Sequence, residues 1–429
     1  MTLIELPDTA PGTGGAAMTM PPPTRRRVLP GWVMVLISIA VVVGLLALTS
    51  YLTGLPALTS SSTMQNTLVL ALPILLAGLG GMWAERAGVV NIGLEGMMIL
   101  GTWGAAFCGL HWGPWAALLG GAMFGALGAL LHAVATVTFG VNHIVSGVAI
   151  NLLGAGVAKY LSTLVFFPDS HNPRESPSIE RFETFSVQPF GDWLASLERQ
   201  QRVVISDVAG LLGGLVTRLS PLPLVALVLV IGSYFVLWRS RFGLRLRSCG
   251  ENPVAAESLG VNVYLHKYIA VLVSGGLAGL GGAALVLGSS PSIYSEGQVG
   301  GRGFIGLAAM IFGNWSPVGL LAGAGLFGYA DGLRLSAGAE TVHALLYAAA
   351  FVLVLVAMWQ AFRRRWLGAG LAALAAVVVW AIYYYTDWPP REFLPYTPHI
   401  ITLVVLALAA QRLRMPAADG VVYRRGESD

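Results

Sequence analysis

Asn91 and Glu95 are polar residues in a segment, 82–104, that is otherwise apolar after the charged pair Glu85 and Arg86. A carboxyl group in hydrocarbon is costly, so it marks either a functional site or a packed polar contact. The two residues are four positions apart, and a helix would therefore place them on one face. An amide and a carboxyl on one face could hydrogen-bond a polar substrate, or they could bond two helices together.

The composition predicts the environment of that segment. The 429-residue chain is 55% hydrophobic and 11% charged, whereas soluble domains carry about 25% charged residues. Residues 31–84 contain no Asp, Glu, Lys or Arg, and residues 88–158 contain only Glu95. Such runs exceed the roughly 20 apolar residues that cross a bilayer. We therefore predict an all-α polytopic membrane protein.

Hydropathy predicts about ten to twelve transmembrane helices, one of them short or re-entrant. The predicted spans are 31–53, 64–83, 88–109, 113–138, 144–167, 221–238, 266–288, 303–313, 317–335, 341–360, 366–385 and 398–411. They define a membrane domain over 31–412. We expect a disordered tail at 1–30 and a second tail at 413–429.

Arginine placement predicts the topology. Clusters at 25–27, 239–248, 363–365 and 412–425 all fall on one side of the predicted bundle, which the positive-inside rule makes cytoplasmic. Loop 168–207, with seven acids against four arginines, is then extracytoplasmic. This pattern predicts a multi-pass protein of the inner or plasma membrane with both termini in the cytoplasm. The net charge of +4 lies mostly at span ends, so it does not indicate nucleic-acid binding.

The predicted cytoplasmic loop 239–265 contains an ordered element. Asn252 can cap a short helix that begins at Pro253 and stops at Gly260. Small residues Ala255 and Ala256 would lie on its surface. The pattern fits a coupling helix that enters a groove on a partner protein, and it also fits a simple interfacial turn.

A broken helix is predicted near residues 301–317. Glycines interrupt the apolar run there, and Asn314–Pro317 break it. Broken helices at membrane depth are tolerated where they line a cavity or pack tightly against protein. Together with polar residues in other spans, this segment gives candidates for a substrate pathway, each of which could instead make a structural contact. They are Asn91, Glu95, Asn142, Asn151, Asn314 and Trp315.

Motifs for catalysis do not stand out in this sequence. There is no G-x-x-x-x-G-K-[ST] phosphate loop, no HExxH motif and no Cys/His spacing typical of a metal site. We predict no catalytic residue, no metal and no cofactor bound by this chain. If ATP drives it, ATP and Mg must be used by a separate ATPase chain.

Four segments in order resemble the permease subunits of ABC importers for simple sugars and nucleosides, most closely the nucleoside branch. The segments are 82–104 with ERAGVVNIGLEGMM, 242–265 with GENPVAAESLGV, 301–335 and 394–426. Two regions depart from the pattern: the N-terminal tail, and residues 343–385, where an extra helix pair is predicted.

The resemblance implies a non-catalytic subunit that imports nucleosides or simple sugars. Its implied partners are an ABC ATPase, a second and paralogous permease, and an extracytoplasmic substrate-binding lipoprotein. The implied ATPase-coupling residues are Gly250, Glu251, Asn252, Pro253, Ala255, Ala256, Leu259 and Gly260. The alternative is a secondary transporter of about twelve spans driven by an ion gradient, although the scarcity of intramembrane carboxylates makes proton coupling less plausible.

Overall fold

The computed structural model describes residues 31–202, 204–386 and 413–425. The predicted tail 1–30 and the predicted span 398–411 lie outside the described residues. The α-helices of the described part are α1 Gly31–Thr53, α2 Ser61–Arg86, α3 Leu94–Ala133, α4 His143–Val165, α5 Phe167–Ser170, α6 Phe190–Arg199, α7 Ile205–Val216, α8 Pro221–Tyr234, α9 Arg241–Glu251, α10 Pro253–Ser258, α11 Val263–Gly288, α12 Arg302–Phe312, α13 Pro317–Phe362 and α14 Trp366–Tyr385. The predicted all-α class is confirmed.

Seven stretches of the described residues are long and apolar enough to cross a membrane. They are Ser61–Arg86, Leu94–Thr138, His143–Val165, Pro221–Arg239, Val263–Gly288, His343–Phe362 and Trp366–Tyr385. This finding confirms a polytopic membrane protein.

The centre of the bundle is built by α2, α3 and α11, whose backbones approach closely. A Cβ atom on Gly279 of α11 would lie 2.1 Å from the carbonyl oxygen of Gly121 in α3. Such an approach excludes any side chain at this position. In a membrane, close backbone contact of this kind replaces the hydrophobic effect as the source of helix–helix attraction.

A turn divides α3 into two legs. Gly113 has φ 81°, a left-handed conformation that glycine adopts without strain, and Pro114 follows it. The legs pack against each other, because a Cβ on Gly104 would lie 2.5 Å from the ring of Phe124. The predicted boundary between spans 88–109 and 113–138 is therefore confirmed.

The first leg begins later than predicted. Helix α2 ends at Arg86, Gly88 has φ 79°, and α3 begins only at Leu94. Asn91 therefore lies in a non-helical connection, and the prediction that it shares a helix face with Glu95 is wrong. The reason is the left-handed backbone at Gly88, which no α-helix can continue.

Helix α12 is the predicted short helix, and its middle packs beside the middle of α2. A Cβ on Gly306 would lie 2.8 Å from the carbonyl oxygen of Ile74. A single helix, α13, follows from Pro317 to Phe362, where two spans, 317–335 and 341–360, were predicted. Within the predicted extra pair 343–385, the end of α13 packs on α14, where the rings of His343 and Tyr383 stack with centroids 4.7 Å apart.

Candidate functional site

Helix α10 has the predicted caps. The Oδ1 atom of Asn252 accepts a hydrogen bond of 2.9 Å from the Ala255 backbone N–H. Pro253 occupies the first turn, where its missing N–H costs nothing. Gly260, with φ 79°, reverses the chain after the helix. The local sequence therefore sets where this six-residue helix begins and ends.

The eight predicted coupling residues divide between two faces of this loop. Gly250, Pro253 and Ala256 are buried, whereas Glu251, Asn252, Ala255, Leu259 and Gly260 are exposed. Ala256 packs in a small cluster with Cys249, Val263 and Tyr423, so the prediction that it lies on the surface is wrong.

The exposed face of α10 is apolar in part. Leu259 is 85% exposed and Val254 is 49% exposed. Two large apolar side chains on so short an ordered helix are typical of a surface that another protein covers. Whether an ATPase covers it remains a prediction.

Asn91 is buried against α11. Its Nδ2 atom donates a 2.9 Å hydrogen bond to the hydroxyl of Ser274, while its Oδ1 atom has no hydrogen-bond partner. The side chain thus attaches the connection between α2 and α3 to the centre of the bundle, and it retains one free acceptor.

Glu95 joins the beginnings of two helices. Its two carboxylate oxygens accept hydrogen bonds of 2.8 Å from the Gly301 N–H and 2.7 Å from the Gly303 N–H. These are unsatisfied donors at the first turn of α12, where a negative charge is favourable. The side chain is only 8% exposed. A structural role for Glu95, which was the alternative to substrate binding, therefore explains the hydrogen bonds of both carboxylate oxygens.

The remaining asparagines of the spans also have partners within the chain. Asn151 accepts from the Gly96 N–H at 2.8 Å and donates to the carbonyl of Ile92 at 3.0 Å. Asn142 caps α4, since its Oδ1 atom accepts from the Ile144 N–H at 2.9 Å. Asn151 therefore fixes the connection that precedes α3, whereas Asn142 fixes the start of α4.

Asn314 and Trp315 form the turn between α12 and α13 at the end of the bundle that carries α10. Trp315 is 3% exposed, and its indole N–H donates a 2.6 Å hydrogen bond to Oε2 of Glu85. The Nη2 atom of Arg86 donates a 2.8 Å hydrogen bond to the carbonyl oxygen of Trp315. Asn314 and Trp315 have φ 52° and 51°, a conformation costing non-glycine residues on the order of 1–3 kcal/mol each. The contacts with Glu85 and Arg86 hold this strained turn in place.

A second group of charges packs beside α2, and we call Arg302, Asp331 and Arg334 the charge cluster. Asp331, only 6% exposed, lies 3.4 Å from Nη2 of Arg302 and 3.7 Å from Nε of Arg334. Beside Asp331, a Cβ on Gly332 would lie 2.9 Å from Oγ1 of Thr67 on α2. The cluster therefore lies within the length of a membrane span.

Hydrogen bonding in the charge cluster is incomplete. The Nε atoms of Arg302 and Arg334 and the nearby Nε2 atom of Gln298 are buried without a hydrogen bond, although Arg334 Nε has its 3.7 Å ion pair with Asp331. Buried polar atoms are almost always paired, so each of these needs an acceptor. Together they could hydrogen-bond the oxygens of a polar solute.

Comparison with known proteins places the chain in a family. The sequence model of a family described as "Branched-chain amino acid transport system / permease component" matches residues 63–358. This chain belongs to that family. The permease is therefore a multi-pass membrane transport component.

Individual relatives agree with this assignment. The permease is 32% identical over 368 residues to the nucleoside ABC transporter permease protein NupC of Lactococcus lactis subsp. cremoris (strain MG1363), covering 84% of this chain and 96% of the relative. It is 37% identical over 283 residues to the guanosine ABC transporter permease protein NupQ of Bacillus subtilis (strain 168), covering 64% and 82%. A putative glucose ABC transporter permease protein, TsgC13 of Haloferax volcanii, is 33% identical over 280 residues, covering 64% and 78%. No solved structure matches.

The six predicted pathway residues of the permease do not form one lining. Asn91, Glu95 and Asn151 gather around the start of α3, Asn142 caps α4, and Asn314 with Trp315 forms a turn at the α10 end. Their role with substrate stays a prediction. Sequence reasoning missed the charge cluster, although the rule that singled out Glu95 applies equally to Asp331 and Arg334 in the apolar segment 317–335.

Proposed function

We propose that this permease is the membrane subunit of an ATP-driven importer that carries nucleosides into the cytoplasm. Two relatives with long matches are named for nucleoside or guanosine transport, whereas others are named for glucose. Simple sugars are therefore the second substrate class to test. The observation that carries the proposal is the exposed, capped face of α10, for which a channel or ion-driven carrier has no evident use.

In this proposal α10 is the contact for an ABC ATPase. The ATPase binds ATP and Mg, and this chain has no catalytic role. Closure of the ATPase pair displaces α10, and the displacement switches the spans between outward-facing and inward-facing states. The arginines of α9 beside it support a cytoplasmic position for this end of the bundle, with both termini on the same side.

The charge cluster is the polar part of the proposed substrate path. A nucleoside offers hydroxyl and base oxygens that can accept hydrogen bonds from the three unpaired donors. The break in the chain before α12 supports this proposal, because broken helices of this kind line cavities in other transporters.

The path is completed by other chains. We propose a second, paralogous permease, because three organisms each supply two related permease proteins: NupB and NupC, NupP and NupQ, and TsgB13 and TsgC13. An extracytoplasmic binding lipoprotein delivers the substrate to the opposite end of the bundle.

The test is reconstitution. The complex that co-purifies with the tagged permease is placed in liposomes, and uptake of labelled guanosine, uridine and glucose is measured with and without ATP on the side of the ATPase. We expect nucleoside uptake that depends on ATP and that added glucose does not reduce. Uptake by this chain alone under an ion gradient would instead establish the secondary transporter.

A substitution on α10 tests the docking surface. Ala255→Arg places a long charged side chain on the exposed face, and we expect uptake to fall at least tenfold because the ATPase can no longer fit. Ala255→Ser, which keeps the side chain small, is the matched control and should transport normally. Equal uptake by both variants would show that no partner covers this face.

A further inference from the structure

The C-terminal segment 413–425, which we call the strap, lies against the α10 end of the bundle. Its Ala418 N–H donates a 2.8 Å hydrogen bond to the carbonyl of Gly250 at the end of α9. The Ala417 N–H donates to Oε2 of Glu251 at 3.3 Å. The strap is thus bonded to the residues that lead directly into α10.

The C-terminal end of the strap binds α10 itself. The Tyr423 hydroxyl donates to Oε2 of Glu257, and the guanidinium Nε of Arg425 lies 2.8 Å from the other oxygen, Oε1. Tyr423 is 9% exposed, and its ring centroid lies 5.7 Å from that of Tyr264 on α11. Two groups of the strap therefore hold the one acidic side chain of α10.

The near end of the strap reaches the turn between α12 and α13. The Arg414 N–H donates a 2.7 Å hydrogen bond to Oδ1 of Asn314. The next residue, Trp315, is the one whose indole bonds Glu85 of α2. Through this contact, a shift of the strap would act directly on the strained turn.

The middle of the strap is fitted to the end of α2. A Cβ on Gly88 would lie 3.1 Å from the carbonyl of Ala418. The Asp419 carboxyl faces Glu85, with Arg86 of α2 and Lys267 of α11 as the neighbouring cations. The strap consequently contacts, in one continuous piece, α9, α10, α11, the end of α2 and the turn between α12 and α13.

We propose that the strap is a positioning element that transmits the displacement of α10 to the corner formed by Glu85 and Trp315. This role rests on the proposed function of α10 as the ATPase contact. Without the strap, α10 is connected to the bundle through its chain neighbours α9 and α11 and through the packing of Ala256. With it, Glu257 of α10 and Asn314 of the turn between α12 and α13 are joined by the twelve residues 414–425 of docked chain.

Burial gives the docking a dependence on pH. Removal from water raises the pKa of the Asp419 carboxyl from 3.8 to about 7, because burial disfavours its charged form and the neighbouring cations Lys267 and Arg86 compensate only in part. The docked strap therefore binds a proton that the free strap releases. The contribution of Asp419 to docking is therefore greatest below pH 3.8, falls as the pH rises, and levels off above about pH 7.

The experiment compares strap variants in the reconstituted complex. Tyr423→Ala removes the anchor on α10, and Val421→Ala, at an exposed position of the same segment, is the matched control. Hydrogen exchange over 413–425 reports docking, while ATP hydrolysis and nucleoside uptake report coupling. We expect Tyr423→Ala to lose protection and to reduce uptake per ATP about tenfold while basal hydrolysis continues, and Val421→Ala to match the wild type.

A truncated chain and a wild-type measurement complete the experiment. If Tyr423→Ala leaves the strap protected, a chain ending at residue 412 removes it, and the same loss of coupling is expected. An undocked or absent strap with normal uptake per ATP would overturn the proposal. Wild-type uptake is measured first, because its absence would refute the proposed function rather than the role of the strap.

The pH arm uses Asp419→Asn, which stays neutral at every pH. Between pH 5 and 7 we expect wild-type protection of 413–425, corrected for intrinsic exchange, to fall by up to tenfold per pH unit. Protection in Asp419→Asn should stay constant. Equal pH dependence in both chains would show that Asp419 does not control docking.

Discussion

Glu95 and the charge cluster both lie at the start of α12, yet their hydrogen bonding differs. Glu95 has a backbone donor for each carboxylate oxygen, whereas the charge cluster and Gln298 leave three buried donors without acceptors. An ionisable residue at membrane depth is therefore not by itself a sign of substrate binding. A carboxylate that completes its bonds within the chain stabilises the fold, and in our proposal the unpaired donors of the charge cluster are those that contact the solute.

The largest effect is expected at Glu95. Glu95→Ala leaves two N–H groups unpaired and removes two charge-assisted hydrogen bonds, so we expect the free energy of unfolding to fall by on the order of 3 kcal/mol. Denaturant titration in detergent measures it. Glu95→Gln, which keeps one acceptor, should lose about half as much.

Glu296 supplies the control for this prediction, because its ion pairs with Lys159 and Arg174 are exposed and contribute little. Glu296→Ala should be nearly as stable as the wild type. A Glu95→Ala variant that is as stable as the wild type but unable to transport would contradict a structural role for Glu95.

The charge cluster should show the opposite behaviour. Arg334→Gln removes a donor proposed to contact substrate, and we expect the KM for nucleoside uptake to rise about tenfold, equivalent to about 1.4 kcal/mol. Stability should change by less than about 1 kcal/mol, because the Arg334 side chain is 31% exposed and its ion pair is long. Arg174→Gln, on the loop, is the control. An unchanged KM together with lower stability would make the cluster structural.

The smallest effect is expected at Asn142, which caps α4. Asn142→Ala should lower the free energy of unfolding by about 1 kcal/mol and leave the KM for uptake unchanged. Asn142→Asp keeps the cap and should restore stability. A change in the KM with Asn142→Ala would show instead that Asn142 contributes to the substrate path.

Much of the α10 region was predictable from the sequence. Asn252, Pro253 and Gly260 act on their own neighbours, so the cap, start and stop of the helix are encoded within nine residues. The break at Gly113 and the short helix α12 were predicted for the same reason. The face that Ala256 presents was not, because it depends on Tyr423, far away in the chain.

The connection before α3 shows where prediction from the sequence failed. Four-residue spacing suggested that Asn91 and Glu95 share a helix face, but the backbone at Gly88 stops α2 and leaves Asn91 in a non-helical connection. Hydropathy likewise separated two spans within 317–360, where the structure has the single helix α13.

The sequence by itself determined that this chain is an all-α membrane protein, where most spans begin and end, and which family it resembles. Those properties come from apolar runs, caps and breaks that act over a few residues. Only the tertiary structure decided which polar residues have partners. Asn91 bonds Ser274, Glu95 bonds Gly301, and Glu85 bonds Trp315, each across more than 180 positions, and no local pattern specifies such a pairing.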